Sequence, residues 1–279
     1  MAAWSEFLRA HPDLSRRRPW VVAHRGYSGV APENTLPAVD AALALGCEFV
    51  EVDLVVSGDG RPVVIHDPTI DRTTRSTGFV SALKAADLHA ADAASWLWAG
   101  SFPGRFPEAQ GHIGVPSLEA VLSSLAGGGR LLLEFKDFWS PAQIEQVAEA
   151  IREAGLMRRV VAQSFNLDTL EALHRVVPEL PRCLLRHLPR REDMTHIEHY
   201  DVIACNPSIR GYSARQETVQ EFLSAGLGVL VWTSDRPTEW ARLAEGEVSG
   251  IITNQPGRLQ GFLAARDLGR PGTVNEEGE

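Results

Sequence analysis

The chain has 279 residues, of which 44% are hydrophobic and 23% are charged, and its formal net charge is -9 at pH 7. These proportions are typical of a globular protein, and the acidic excess argues against a nucleic-acid surface, which needs clustered lysine and arginine. No apolar stretch approaches the roughly 20 residues that span a bilayer, so we expect no stable membrane anchor. Three widely spaced cysteines and an N-terminal segment without a continuous apolar run predict a cytoplasmic protein of undetermined oligomeric state.

Short apolar runs alternate along the chain with amphipathic helical patterns. The predicted strands lie at residues 20–23, 49–55, 130–135, 160–162, 182–185, 202–204, 228–232 and 251–252. The predicted helices lie at residues 36–45, 118–125, 142–154, 167–176, 216–225 and 238–244. Asn34 stands just before the first of these helices, where a capping residue belongs. Eight short, buried strands with helices between them predict an α/β fold, a (β/α)8 TIM barrel over residues 20–265.

Two segments depart from this alternation, and the chain ends in a third. Residues 61–65 follow Gly58-Asp59-Gly60 and are predicted to form a hairpin partner of the second strand. Residues 71–116 have no clean periodicity and are too long for a plain connection, which predicts an insertion after the second strand. Residues 266–279 contain few apolar groups and are predicted to form a disordered tail.

Three carboxylates lie near the ends of two predicted strands. Side chains alternate along a strand, so Glu51 and Asp53 point the same way from the second strand, and Glu134 lies near the end of the third. Barrel active sites are built at the carboxyl ends of the strands, and carboxylates that converge there need a counter-charge. Oxygen ligands without cysteine favour one divalent cation, Mg²⁺ or Ca²⁺. The alternative is salt bridging to arginine and lysine.

Two histidines, His24 and His66, end apolar strands beside these carboxylates. A pair of imidazoles next to a cation indicates general acid and base catalysis, with the two roles left unassigned. Arg25 is suited either to a phosphate oxygen or to a carboxylate, and Lys136 shares a strand face with Glu134. We interpret the other histidines as structural: His11, His89, His112, His174, His187, His196 and His199.

Three further residues close later strands and are candidates for orienting a substrate. They are Gln163, Trp232 and Asn254, at the ends of the fourth, seventh and eighth predicted strands. Amide and aromatic groups at a barrel's active end commonly position a ligand. For Trp232, packing at the rim of the barrel is an equally good interpretation.

At these residues the chain resembles the glycerophosphodiester phosphodiesterase family. The resemblance covers roughly residues 20 to 262, and its blocks fall in the family's order: His24-Arg25-Gly26, Pro32-Glu33-Asn34-Thr35, Glu51-Val52-Asp53, Val64-Ile65-His66-Asp67, Asp71-Arg72-Thr73-Thr74, Val115-Pro116-Ser117-Leu118-Glu119, Leu133-Glu134-Phe135-Lys136, Gln163-Ser164-Phe165, Val231-Trp232-Thr233 and Ile252-Thr253-Asn254. A single block would be weak, whereas the ordered set is specific.

The resemblance implies hydrolysis of a small-molecule glycerophosphodiester to sn-glycerol 3-phosphate and an alcohol. It implies a TIM barrel with a segment inserted after the second strand. The implied site comprises metal ligands at Glu51, Asp53 and Glu134, catalytic histidines at His24 and His66, and phosphate contacts from Arg25 and Lys136. One departure is Asn254, where many members carry Asp; asparagine keeps hydrogen bonding but lacks the charge.

Two alternative functions remain open at this point. Related barrels act on lysophospholipids as phospholipase D-type enzymes, and an apolar lip for such a lipid has candidate aromatics in Trp96, Trp98, Phe102, Phe106 and Phe138-Trp139. The competing interpretation of these aromatics is packing within the insertion. The second alternative is a barrel that serves as a non-catalytic binding module. Members of that kind typically lose metal-binding or acid–base groups, and this chain retains the full set.

Overall fold

The structure, a computed structural model, describes residues 3–15, 18–96 and 112–268. Eight parallel strands close into a barrel in the order β1-β9-β8-β7-β6-β5-β4-β2, and β2 returns to pair with β1. A ninth strand, β3, pairs antiparallel with β2 as a hairpin. The strands are β1 Trp20–Ala23, β2 Phe49–Val56, β3 Pro62–Val64, β4 Leu131–Phe135, β5 Val160–Ser164, β6 Arg182–Arg186, β7 Ala204–Pro207, β8 Gly228–Val231 and β9 Gly250–Thr253.

Helices connect the strands and pack around the barrel. The helices are α1 Ala3–Ala10, α2 Leu36–Ala44, α3 Ala85–Ala90, α4 Leu118–Ser124, α5 Pro141–Glu153, α6 Leu167–Val176, α7 Asp193–His199, α8 Ile209–Ala214, α9 Gln216–Ser224, α10 Pro237–Glu245 and α11 Pro256–Leu268. Local sequence explains several of their starts. Ser140 and Gln143 form a reciprocal capping box around Pro141, and the Asn166 side chain caps α6.

The strands are buried on both faces, and their alternation divides the core in two. On β1, Trp20 and Val22 pack inside the barrel, whereas Val21 and Ala23 pack against the helices. The same alternation places Phe49 inside and Val50 outside on β2. Residues that share the inward register therefore point into the barrel along its whole length. We call the face at the carboxyl ends of the parallel strands the mouth.

Helix α1 lies at the end of the barrel opposite the mouth. Phe7 is buried and belongs to the inner core, with its ring centroid 6.3 Å from that of Trp20. Trp4 packs beside it, 5.1 Å from Trp20 between ring centroids. The helix thus covers the amino-terminal ends of the strands with aromatic side chains.

The structure confirms the predicted TIM barrel and moves some element boundaries. The strand predicted at 202–204 lies later, at Ala204–Pro207; Val202 and Ile203, which gave the apolar signal, are buried just before it. Several short or partly polar helices were not predicted, namely α1, α3, α7, α8 and α11. Helix α11 continues to Leu268, so residues 266–268 are helical where the sequence predicted a disordered tail.

The predicted insertion is described only in part. Its first half contains a 3-10 turn at Val80–Ala82 and helix α3, packed on a small apolar cluster with β3. Residues 97–111 and 269–279 lie outside the described residues, and with them Trp98, Phe102, Phe106 and most of the predicted tail. None of the described helices is both long enough and apolar enough to cross a lipid bilayer.

Candidate active site

The three predicted metal ligands meet inside the mouth of the barrel. Glu51 and Asp53 continue the inward register of Phe49 on β2, and Glu134 continues that of Leu132 on β4. All three are buried, and one carboxylate oxygen from each lies within 4.8 Å of the others. The β2–β4 register aligns Asp53 with Glu134, which brings the two strands' carboxylates together.

These carboxylates strongly perturb one another's ionisation. Burial, reinforced by the charge of Asp53, raises the pKa of Glu134 to about 7. Burial together with Asp53 and Glu134 raises the pKa of Glu51 well above its usual range. Burial works in the same direction on Asp53, but Lys136 and Arg25 outweigh it and lower the pKa of that carboxyl. The triad therefore cannot be fully ionised at neutral pH without a further positive charge.

Two cationic side chains already contact the triad. Lys136 Nζ lies 2.6 Å from Glu134 Oε1 and 3.0 Å from Asp53 Oδ1. Arg25 Nε lies 3.3 Å from Asp53 Oδ2, and its backbone N–H donates to Glu51 Oε2 at 2.9 Å. Salt bridging, the alternative to a metal site, is thus present, yet two of the three carboxyl pKa values remain raised. Among the described residues, buried Asp53 Oδ1 has no partner besides this ion pair with Lys136. A cluster of three buried carboxylates offers only oxygen ligands, which fits a hard divalent cation.

Asn34 holds the Asp53 carboxylate through hydrogen bonds that the sequence pattern did not reveal. It was predicted to cap the first helix, but Thr35 occupies the cap position. The Asn34 side chain instead donates from Nδ2 to Asp53 Oδ2 at 2.7 Å and accepts from the Asp53 backbone N–H at 3.2 Å. A φ of 55° at Asn34 turns the chain so that the amide reaches the strand. Its place in the Pro32-Glu33-Asn34-Thr35 block was the available signal.

The two histidines are each held at Nδ1, by different kinds of partner. His24 Nδ1 lies 2.7 Å from the amide oxygen of Asn254, and His66 Nδ1 lies 2.5 Å from the carboxylate of Asp67. Burial and the neighbouring charge of Arg25 lower the pKa of His24 to about 4. Burial also lowers the pKa of His66, although Asp53 opposes this shift.

A chain of ion pairs links Arg25 to the partner of His66. Glu33 accepts from Arg25 Nη1 at 2.7 Å and from both terminal nitrogens of Arg72 at 2.8 Å. Arg72 also donates to Asp67, from Nε at 2.6 Å. Glu33, Asp67 and Arg72 were quoted in the sequence blocks but not assigned to the site. Only a folded chain shows that the three residues meet.

The remaining predicted substrate contacts are engaged largely with protein groups. Gln163 is buried, donates to Glu51 Oε1 at 3.4 Å and accepts from Asn206 at 3.0 Å. Trp232 donates from Nε1 to the Asn206 carbonyl at 2.8 Å, and its half-buried ring packs edge-on against Phe165 and His187. This contact favours the rim-packing interpretation of Trp232. The amide of Asn254 contacts His24.

The proposed apolar lip must be corrected at one position. Trp139 is buried in the core, where its ring packs on Phe135 and its Nε1 donates to the Lys136 carbonyl at 2.7 Å. Its neighbour Phe138 is 59% exposed at the mouth. Trp96 is half-buried, and its Nε1 donates to the Ala93 carbonyl. Of the lip aromatics within the described residues, only Phe138 offers an exposed ring.

Comparison with known proteins identifies the family of this chain. Residues 24–258 match the Glycerophosphoryl diester phosphodiesterase family. A glycerophosphodiester phosphodiesterase of Bacillus subtilis is 30% identical over 253 residues, 87% of this chain and 86% of that protein. A second, from Caldanaerobacter subterraneus, is 30% identical over 242 residues, 86% of this chain and 95% of its own length.

Two solved phosphodiesterase structures share this fold. An Oleispira antarctica phosphodiesterase, solved with its product sn-glycerol-3-phosphate, superposes with a TM-score of 0.77 at 26% identity, covering 91% of this chain and 99% of that one. An Agrobacterium tumefaciens glycerophosphodiester phosphodiesterase superposes with a TM-score of 0.72 at 29% identity, covering 88% and 99%. From its matched sequence and its barrel, the chain belongs to the glycerophosphoryl diester phosphodiesterase family.

Proposed function

We propose that this protein hydrolyses glycerophosphodiesters to sn-glycerol 3-phosphate and an alcohol, using one divalent cation and paired histidines. The observation that carries the proposal is the buried Glu51, Asp53 and Glu134 cluster, whose ligand atoms lie within 4.8 Å of one another at a barrel mouth. The Oleispira relative, solved with sn-glycerol-3-phosphate, supports the product.

The three carboxylates would hold the cation, either Mg²⁺ or Ca²⁺. Such a cation supplies Lewis-acid stabilisation of phosphate charge when bound. Arg25 and Lys136 add positive charge beside the carboxylates, which both contact. Their side chains are only about one-sixth exposed, so water screens these charges little. A guanidinium beside the cluster is suited to orient a non-bridging phosphate oxygen. In this proposal Gln163, Trp232 and Asn254 line the site and shape it chiefly through protein contacts.

The partners of the two histidines support an assignment of roles. His24 faces an amide and has a pKa lowered to about 4, so it is neutral at neutral pH and able to accept a proton. His66 faces the Asp67 carboxylate, which opposes the lowering of the His66 pKa by burial and so favours the imidazolium that a proton donor needs. We assign His24 as the base toward the attacking hydroxyl and His66 as the acid toward the leaving alkoxide. The attacking hydroxyl belongs to glycerol C2, with a cyclic phosphate as intermediate, or to water.

The test is release of glycerol 3-phosphate from a panel of glycerophosphodiesters that differ in the alcohol. The chelator-treated protein is assayed alone, with Mg²⁺ and with Ca²⁺, and phosphorus NMR follows any cyclic phosphate. We expect cation-dependent turnover that is absent in a Glu51→Gln, Asp53→Asn double variant. Failure to cleave any diester with several divalent cations would favour the non-catalytic binding module.

A second candidate, phospholipase D-type action on lysophospholipids, is favoured by one observation. The described residues include four exposed large apolar side chains, and all four lie in strand-to-helix connections on the mouth side: Val30, Phe79, Phe138 and Leu188. Scattered apolar residues need no explanation, but confinement to one face fits contact with acyl chains. Lysophosphatidylcholine is assayed against glycerophosphocholine in wild type and in Phe79→Ser, Phe138→Ser. Under this candidate only lysolipid turnover falls in the variant; faster wild-type turnover of glycerophosphocholine contradicts it.

We also propose that the protein is cytoplasmic, as its composition predicts. The support for this is that all three cysteines, Cys47, Cys183 and Cys205, are free and buried.

A further inference from the structure

The connection between β8 and α10 carries a carboxylate that faces only hydrogen-bond donors. Asp235 Oδ1 lies 2.8 Å from the Asn254 backbone nitrogen and 2.8 Å from Thr253 Oγ1. Its second oxygen, Oδ2, lies 2.7 Å from the Asn254 side chain. Thr253 Oγ1 also accepts from the Gln255 backbone N–H, which leaves its own hydrogen for Asp235. Both oxygens of Asp235 are thus committed as acceptors.

This arrangement determines which end of the Asn254 amide points where. An ionised carboxylate can only accept hydrogen bonds, so the amino group of Asn254 must face Asp235. The amide oxygen therefore faces the opposite way, toward His24 Nδ1 at 2.7 Å and Ser28 Oγ at 2.8 Å. Asparagine orientations are otherwise ambiguous, and here the carboxylate resolves the ambiguity.

The amide oxygen in turn determines the tautomer of His24. Because an amide oxygen cannot donate, the hydrogen in the 2.7 Å contact must be carried by His24 Nδ1. Neutral His24 then has its free lone pair on Nε2, the nitrogen left unengaged by this network. That is the form a base needs if Nε2 is to accept a proton.

We propose that Asp235 is a positioning residue, which orients the Asn254 amide and thereby holds His24 in the Nδ1–H tautomer. The proposal rests on the assignment of His24 as the base in the proposed function. Asp235 itself acts through Asn254: both its oxygens are bonded to residues 253 and 254.

Exchanging the amide and the carboxylate tests this chain of reasoning. In Asp235→Asn, the new amide oxygen is expected to keep the backbone and threonine donors, so its amino group faces Asn254. Asn254 must then turn its oxygen toward residue 235 and its amino group toward His24. Because that amino group donates to Nδ1, His24 is forced into the Nε2–H tautomer. In the double variant Asp235→Asn, Asn254→Asp, the amino group at 235 meets a carboxylate at 254. That carboxylate accepts from His24 Nδ1 and restores the original tautomer.

The readouts are kinetics and nitrogen NMR of protein labelled at histidine, with the His24 signals assigned from a His24→Ala variant. Asp235→Asn is expected to lower kcat about 10- to 100-fold with KM nearly unchanged, and to shift His24 to Nε2–H. The double variant is expected to return to Nδ1–H and to recover most of the lost kcat. Glu239→Gln, which alters a carboxylate that accepts a hydrogen bond from Ser234 in the same segment, is the matched control.

An unchanged His24 tautomer and kcat in Asp235→Asn, or no recovery in the double variant, would overturn the inference. Should Asp235→Asn fail to fold, Asp235→Ser replaces it, and a mixture of the two tautomers is expected; Nδ1–H alone would contradict the proposal. The NMR measurement needs no turnover. A wild type without diesterase activity would therefore refute the proposed function alone, and the tautomer shift would still decide the role of Asp235.

Discussion

Glu134→Gln is expected to stabilise the metal-free protein at neutral pH while weakening its response to a cation. Burial and Asp53 raise the pKa of Glu134 from its ordinary 4.5 to about 7. A shift of that size corresponds to about 3 kcal/mol of unfavourable ionisation in the native state. Glutamine carries no charge and retains an oxygen for Lys136, so about 1–3 kcal/mol of this cost is expected to be relieved.

The pH dependence of this effect follows from proton linkage. Below pH 4.5, Glu134 is protonated in both the folded and the unfolded chain, so the variant and wild type differ little. Between pH 4.5 and about 7 the unfolded chain ionises this carboxyl while the native protein retains its proton, so wild-type stability falls relative to the variant. Above pH 7 the difference is constant. Taking the difference between the two proteins cancels the contributions of groups that do not interact with Glu134, such as His24, but not that of Glu51, whose pKa is raised partly by Glu134.

The assay is urea unfolding of chelator-treated protein across pH 5 to 8, repeated with Mg²⁺ and with Ca²⁺. At a cation concentration 100 times its Kd, the wild type gains about 2.7 kcal/mol, and Glu134→Gln gains less because it has lost a ligand. Glu119→Gln, at an exposed position on α4, is the control. A stability difference that does not change with pH, or an equal cation response in both proteins, would refute the reasoning.

Four further substitutions probe the two histidines, the support of Asp53 by Asn34 and the ion-pair chain through Arg72. His24→Ala and His66→Ala are each expected to lose about 10²–10⁴-fold in turnover and to keep cation-dependent stabilisation. Near-normal turnover in both variants would refute the assignment of these histidines as acid and base. Asn34→Gly keeps the backbone freedom that a φ of 55° requires but removes the amide from Asp53. Calorimetry is expected to show about 10–100-fold weaker cation binding, and unchanged affinity would exclude a supporting role. Arg72→Met separates Glu33 from Asp67, so kcat is expected to fall about 10-fold; wild-type kcat would mean that Asp67 holds His66 unaided.

Much of the barrel was predictable because buried parallel strands leave a simple signature. Most runs of branched apolar residues became strands, and the alternation on β2 correctly placed Glu51 and Asp53 on one face. The exceptions have physical reasons. Helices α7 and α8 are short and partly polar, so their periodicity is weak, and their formation depends on packing against the barrel. Helix α1 is amphipathic, but its sequence alone does not indicate which surface of the barrel it covers.

The candidate site was predictable where a charged or titratable residue type stands at the end of an apolar strand. That was true of the carboxylate triad, which the structure brings together. The supporting residues were harder to assign because ordinary polar residues in loops carry no such signal. Asn34 has the sequence position of a helix cap, Asp235 belongs to none of the recognised blocks, and Asn254 ends a strand, where a substrate contact is predicted. The contacts of these residues with Asp53, Asn254 and His24 join positions far apart in sequence.

Helix α1 has a consequence for how this protein can change over evolutionary time. Residues 3–10 cover the end of the barrel opposite the mouth, and they precede the family match, which begins at residue 24. Its aromatic contacts with Trp20 lie at the opposite end of the barrel from the carboxylates and histidines. Because the two sets of contacts share no residues, substitutions in α1 and substitutions at the mouth are expected to have nearly additive effects on stability. The packing of α1 can therefore change in evolution while the carboxylates and histidines keep their arrangement.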